Sequence, residues 1–270
     1  MRRFLFFSFI LLVNLNTLSY PIKEEDCLRR IRLPNQEIIL KWVKESDPLV
    51  PILDYEEYIN FLEKMRSKIN PQGEPGKVVY YPGIGPFGIY LNLTLPLLAT
   101  DCNLVVSVDI GQDITEPLTL ENFKRWVMFS LRPLIEKKII LEEEIKFEVG
   151  EDNKFSFSFP FKGRERKFII YYKKDAGKFF PPELEQGFDV LITRWIPKGF
   201  KVQEEIENKW LTHLREDGFI ITTTDGDYLR GEDKDLLVSS DFWKNFTLIL
   251  EAEGIRTRNM FLFRRKSYRP

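Results

Sequence analysis

Residues 77–88 read KVVYYPGIGPFG and residues 103–110 read NLVVSVDI. Each holds a short apolar run rich in β-branched residues, the pattern of a strand buried on both faces. A glycine turn follows the first run, and an acid, Asp109, closes the second. Gly83 and Gly85 carry no Cβ, so the backbone there turns sharply and approaches a ligand closely. A strand, a glycine turn, a helix and an acid at the next strand's end frame a nucleotide-type cofactor site, with Asp109 placed to accept hydrogen bonds from a ribose diol. A lone GxG is common; its place between strand and helix, with the acid downstream, gives it meaning.

The chain on either side of this stretch alternates in the same way. Before it, QEIILKWVKES (residues 36–46), capped by Asn35, and DYEEYINFLEKMRSK (residues 54–68) are predicted helices. The second places Tyr58, Phe61, Leu62 and Met65 at helical spacing. NPQGEPG (residues 70–76) then breaks the helix. After Gly88, IYLNLTLPLLATD reads as a helix that Pro96 kinks or restarts. Residues 117–138 give one or two further helices, with Pro133 a predicted break. Strands alternating with helices point to a doubly wound α/β fold, its mostly parallel sheet covered on both faces.

The rhythm changes at residue 144. EIKFEV, KFSFSFPF and RKFIIYYKKD are successive strands joined by turns, an antiparallel ribbon inserted at about residues 145–166 and feeding a third parallel strand that ends at Asp175. Phe155, Phe157, Phe159 and Phe161 recur at period two and therefore share one face. That face is either an aromatic wall over a substrate or a cover for the sheet or a subunit interface. Alternation resumes with DVLITRW, the helix EEIENKWLTHLRED stopped by Gly218, and GFIITTTD as a fifth strand. GEDKDLLVSSDFWKN is predicted helical in part, and FTLILEAE and MFLFRRK form a closing hairpin.

Composition sets outer bounds. With 43% hydrophobic and 30% charged residues, the chain is globular rather than disordered. Forty basic residues against 41 acids create no global field that would favour nucleic acid. The basic end (Arg256, Arg258, Arg264, Arg265, Lys266 and Arg269) lacks interleaved stacking residues and reads as protection of a sheet edge. Residues 1–19 combine Arg2 and Arg3, an apolar run FLFFSFILLV and small residues at Thr17 and Ser19, the pattern of a cleaved secretory signal. The run is too short for a comfortable span of about 20 residues, so the mature chain is expected to lack a stable membrane span; an uncleaved anchor is the rival. Export would let Cys27 and Cys102 pair, and two free thiols are the alternative. Two cysteines and one histidine leave little for a soft-metal site, and no metal is expected.

From residue 76 to residue 266 these elements, in order, resemble the class I S-adenosylmethionine-dependent methyltransferases, a Rossmann-like superfamily. The resemblance rests on VVYYPGIG, on the second strand ending at Asp109, on the third ending at Asp175 and Ala176, on DVLITRW, on LREDGFIIT, and on the terminal hairpin. It implies a seven-stranded sheet of order 3-2-1-4-5-7-6, with S-adenosylmethionine across the carboxyl ends of the first three strands. It places Tyr81, Pro82, Gly83 and Gly85 at the methionine end of the cofactor. Asp109 and Ile110 fall at the ribose, and Asp175 and Ala176 near the adenine amino group. Thr193, Arg194 and Trp195 fall at the strand edge facing the reacting methyl. Three features depart from the family pattern. Tyr81 stands where the family has an acid, Phe87 holds the third glycine position with Gly88 one residue late, and Arg-Trp-Ile-Pro replaces the amine-methylating Asn-Pro-Pro-Tyr.

The implied domains are a signal peptide (residues 1–19), a helical extension (residues 20–76) and a methyltransferase-like domain (residues 77–270). The implied activity is methyl transfer to an unspecified small-molecule or protein acceptor. A sulfonium is already a good leaving group, so positioning supplies most of the rate and no catalytic residue is named. The alternative is an exported binding protein that keeps the fold without the chemistry; a nicotinamide-type ligand in the same crevice is a third reading. His213, the sole histidine, reads as structural, no nucleophile elbow supports a serine triad, and Asp225 and Asp227 in TTTDGDY read as a turn.

Overall fold

The computed structural model describes residues 36–46, 55–74, 76–85, 90–111, 114, 116–193, 204–223, 245–253 and 259–267. The chain divides into two compact units, Met1–Gln36 and Glu37–Pro270. Of the first, only Gln36 is among the described residues. Among the described residues the order is α1 (Gln36–Ser46), α2 (Tyr55–Ile69), β1 (Val78–Tyr80), α3 (Thr94–Thr100), β2 (Leu104–Asp109), α4 (Leu120–Glu136), β3 (Lys146–Val149), β4 (Lys154–Phe161), β5 (Arg164–Tyr172), β6 (Phe188–Ile192), α5 (Glu204–His213), β7 (Leu214–Thr223), β8 (Phe246–Glu253) and β9 (Asn259–Arg265).

All nine strands belong to one sheet, ordered β3-β4-β5-β2-β1-β6-β7-β9-β8. β5, β2, β1, β6 and β7 run parallel, whereas β3, β4, β8 and β9 pair antiparallel with their neighbours. Without the two ribbon strands the order is 3-2-1-4-5-7-6, as the resemblance implied. The count of seven is corrected to nine, because the ribbon does not stand apart: β4 pairs along its whole length with β5 and extends the sheet at that edge.

Period two sorts each strand between two cores. Val79, Val105, Phe168, Ile170, Val190 and Ile192 face the core shared with α1 to α4, and Tyr80, Val106, Val108, Ile169 and Leu191 face the one holding Trp210 of α5. α4 presents Phe123, Trp126, Val127, Leu131 and Leu134 to the first core at helical spacing, starting from Thr119, whose Oγ1 accepts the Asn122 amide at 3.2 Å. The same core takes Tyr58, Phe61, Leu62 and Met65 of α2, and Trp42 of α1 donates its indole N–H to the Ser130 carbonyl at 2.7 Å. Phe155, Phe157, Phe159 and Phe161 are buried there as well, so the phenylalanine face covers helices and not a substrate.

Other expectations are corrected by local packing. α4 runs through Pro133 unbroken, because one missing N–H in the last turn is outweighed by the burial of Leu131, Pro133 and Leu134. Pro96 starts α3 within its first turn and does not kink it. β5 ends at Tyr172, three residues before Asp175, where Lys173 turns out of the sheet at φ +54°. Cys102 is a free, buried thiol whose Sγ lies 3.6 Å from the Pro96 carbonyl, and burial pushes it up to about 11. Cys27, the N-terminal signal, Asn35 and the segment 231–244 lie outside the described residues. No helix among the described residues is long and apolar enough to cross a membrane.

Gly218 does not stop a helix. α5 ends at His213, and β7 bulges between Leu214, opposite Phe188, and Phe219, opposite Val190. The left-handed residue of that bulge is Asp217, φ +63°. Gly218 is needed for closeness instead: a Cβ there would lie 2.6 Å from Leu214 Cδ1 and 2.8 Å from the Arg215 carbonyl oxygen. Gly218→Ala is therefore expected to destabilise the chain by about 1–3 kcal/mol through overpacking, read as a lower urea midpoint; an unchanged midpoint would mean that the bulge yields freely.

Candidate functional site

The site lies where β1 and β2 end. Beyond Tyr80 the chain stays tied to β2 through Tyr81 N–H to the Val106 carbonyl (2.9 Å) and Gly83 N–H to the Val108 carbonyl (3.0 Å). Gly83 (φ +76°) and Gly85 (φ +108°) then turn it away through a backbone region that other residues rarely enter. Gly85 N–H donates to Asp109 Oδ2 at 3.0 Å, and Gly111 N–H donates to Oδ1 at 2.7 Å. One partly buried carboxylate thus fixes both turns at the carboxyl ends of β1 and β2. A carboxylate accepts about four hydrogen bonds, so structural bonds to two amides are compatible with a diol ligand.

The remaining expected residues are placed as follows. Tyr81 and Pro82 are buried, Tyr81 within the first core, while Ile110 next to Asp109 is 54% exposed. Asp175 is exposed and caps its own turn: Oδ1 accepts the Gly177 amide at 2.9 Å, and its carbonyl takes the amides of Lys178 and Phe179. Ala176 packs against the second core. Thr193 bonds the Ile221 carbonyl through its N–H at 2.9 Å. Arg194 and Trp195 lie outside the described residues, as do Phe87, Gly88, Asp225 and Asp227. The fold therefore brings Gly83, Gly85, Asp109 and Ile110 together at one end of the sheet and leaves Asp175 engaged in its own loop.

Two residues of the site escaped the sequence reading. Gly111 (φ +70°) closes an Asx-type turn on Asp109, and the Asp-x-Gly spacing is its signal. Tyr172 ends β5 in register with Asp109, and the alternation Phe168, Ile170, Tyr172 would have put it on that face. Burial first, and then the Asp109 charge, hold the Tyr172 phenol well above its ordinary range, so it stays a neutral donor. Its hydroxyl, the Trp126 indole N–H and the Ser107 hydroxyl are all buried without a hydrogen-bond partner among the described residues.

The His213 ring lies against Phe180 at 4.3 Å, tilted by 39°, with Nδ1 2.9 Å from the Lys209 carbonyl oxygen. Arg264 pairs with Asp217 at 3.0 Å, and Arg265 donates to the Leu211 carbonyl at 3.1 Å. A groove of about 490 Å³ crosses the outer face of the ribbon, but its charges meet one another: Lys146 lies 3.8 Å from Glu165 and Lys167 lies 3.5 Å from Glu148.

No protein-family model matches the chain, and no curated protein matches it. Among solved structures it is similar to the N-methyltransferase NodS from Bradyrhizobium japonicum WM9 in complex with S-adenosyl-L-homocysteine, at 9% identity over 85% of this chain and 99% of that one (TM-score 0.42). It is also similar to magnesium protoporphyrin IX methyltransferase (ChlM) from Synechocystis PCC 6803 with bound SAM, at 11% identity over 87% and 98% (TM-score 0.42). A putative methyltransferase from Pseudomonas syringae matches at 11% identity over 77% and 99% (TM-score 0.40). These likenesses assign no activity to this chain. What this chain shows of itself is the strand order, which without the two ribbon strands is the one the resemblance implied.

Proposed function

We propose that the chain binds S-adenosylmethionine at the carboxyl ends of β1, β2 and β5 and transfers its methyl group to an acceptor. The observation carrying this reading is the Asp109 carboxylate, set across from the glycine turn and bonded to it at 3.0 Å within a sheet of this order. Asp109 accepts the ribose hydroxyls, residues 83–85 leave room for the methionine chain, and the exposed Ile110 side chain offers an apolar edge to the base. The bound cofactor supplies a methyl group on a sulfonium, and the protein's part is to hold donor and acceptor in line.

Calorimetric titration with S-adenosylmethionine and S-adenosylhomocysteine is expected to show sub-millimolar binding, with Asp109→Ala weakening it about 100-fold through loss of two charge-assisted bonds. Equal affinity in the variant would place the cofactor elsewhere. A parent chain that binds neither compound would end the catalytic reading.

Two observations favour a second reading, an exported binding protein that keeps the architecture alone. Tyr81 is fully buried where the family has an acid, and Asp175 is taken up by its own turn. In this reading residues 1–19 direct export, and the mass of the mature N-terminus tests it: an intact Met1 removes its main support.

A further inference from the structure

The amino ends of the parallel strands lie opposite the glycine turn, and a different chemistry gathers there. The hairpin joining β4 to β5 turns through Lys162 and Gly163, at φ +53° and +71°. This two-residue turn projects Lys162 beyond the sheet. Arg164 and Arg166 follow on β5, and Arg164 ties the hairpin to the 70–76 turn through the carbonyls of Gly73 and Glu74. Arg66, in the last turn of α2, completes the set. Asp101 is claimed by Arg166 at 2.7 Å and approached by Arg164 at 3.6 Å.

Arg66 and Lys162 are left over. Neither side chain has a hydrogen-bond or ion partner among the described residues, and Arg66 Nε is buried. The Lys162 amine lies 5.4 Å over the Phe161 ring. Burial, and then Arg66, push its pKa down to about 8; Asp101 and Glu63 oppose this and Arg166 adds to it. Two half-buried cations with no acid at ion-pair distance are unfavourable even with Asp101 and Glu63 acting from farther off, and a multiply charged oxyanion removes that penalty. Guanidinium forks match the oxygens of such a group.

We propose that Arg66, Lys162 and Arg164 form a site for a phosphate-type oxyanion at the amino end of the sheet, separate from the cofactor crevice. The nine residues of β5 put the two sites on the order of 25 Å apart, so this site neither requires nor excludes cofactor binding.

Thermal unfolding of the full chain in sodium phosphate, against sodium chloride of equal ionic strength, tests it. The expected result is a saturable rise specific to phosphate, roughly 3 °C at about ten times the half-saturating concentration. Lys162→Met and Arg66→Gln are each expected to abolish it. Acetylation of Lys162 at pH 8, followed by peptide mass in the parent chain, is expected to slow several-fold in phosphate, because a bound anion keeps the amine protonated. Equal rises in both salts, a rise that survives either substitution, or unchanged acetylation would overturn the proposal.

Discussion

Arg166→Ala is expected to lower the unfolding free energy by about 3–5 kcal/mol, the loss typical of breaking a buried ion pair from one side. Arg166 is 1% exposed, yet its donors are used on three sides. Nε reaches the Phe161 carbonyl at 3.3 Å, Nη1 reaches the Asp101 carbonyl at 2.9 Å and Asn103 Oδ1 at 3.2 Å, and Nη2 reaches Asp101 Oδ1 at 2.7 Å. Those acceptors include Asp101, the left-handed residue that ends α3, so the guanidinium holds the end of a seven-residue helix in place. Alanine strands a mostly buried carboxylate and several carbonyls together, whereas Arg166→Lys keeps the charge but not the fork and is expected to recover less than half of the loss. Guanidinium denaturation measures both. A loss under about 1 kcal/mol would mean that water replaces the side chain, against its observed burial.

Phe157→Ala carries an expected loss of similar size, about 3–5 kcal/mol. The Phe157 ring is stacked on Phe168 at 4.8 Å and 7° and on Phe159 at 5.9 Å and 6°, with Phe123 of α4 edge-on at 5.9 Å. The cavity left by alanine would be lined by rings that cannot close over it without leaving their strands. The same variant separates two roles for the ribbon. A core residue lowers the denaturant midpoint and leaves the affinity of the folded protein for S-adenosylhomocysteine unchanged. A substrate wall would alter ligand binding with little loss of stability, and that result would reverse the reading given above.

How much of this was legible in the sequence varies with the range of the forces involved. The glycine turn was legible, because Gly83 and Gly85 can adopt positive φ whatever surrounds them, and both do. The strand alternation was legible too, since an apolar run of five or six residues admits few other structures. The period-two phenylalanines fixed a shared face but not what lies against it; α4 supplies that, from more than 30 residues away in the chain. Pro133 was misread because helix-breaking is a local penalty, and burial on either side of it is not local. Gly218 was misread for a related reason: a glycine after two acids looks like a helix stop, but here it answers to a bulge in which Leu214 and Arg215 close in upon it. Asp175 had the composition of a ligand residue, and only the folded loop shows its carboxylate turned back on Gly177.

Pattern alone determined that this chain builds a mostly parallel, doubly wound sheet with a sharp turn after its first strand and an acid after its second, since hydrophobic periodicity and the absence of a Cβ act within a few residues. Tertiary structure decided which acid meets that turn, that the inserted ribbon joins the sheet as two further strands, and that neither Arg66 nor Lys162 has an acid at ion-pair distance among the described residues. Those outcomes depend on long-range register and on the competition of charges for one buried carboxylate, and neither is written in any single stretch of the chain.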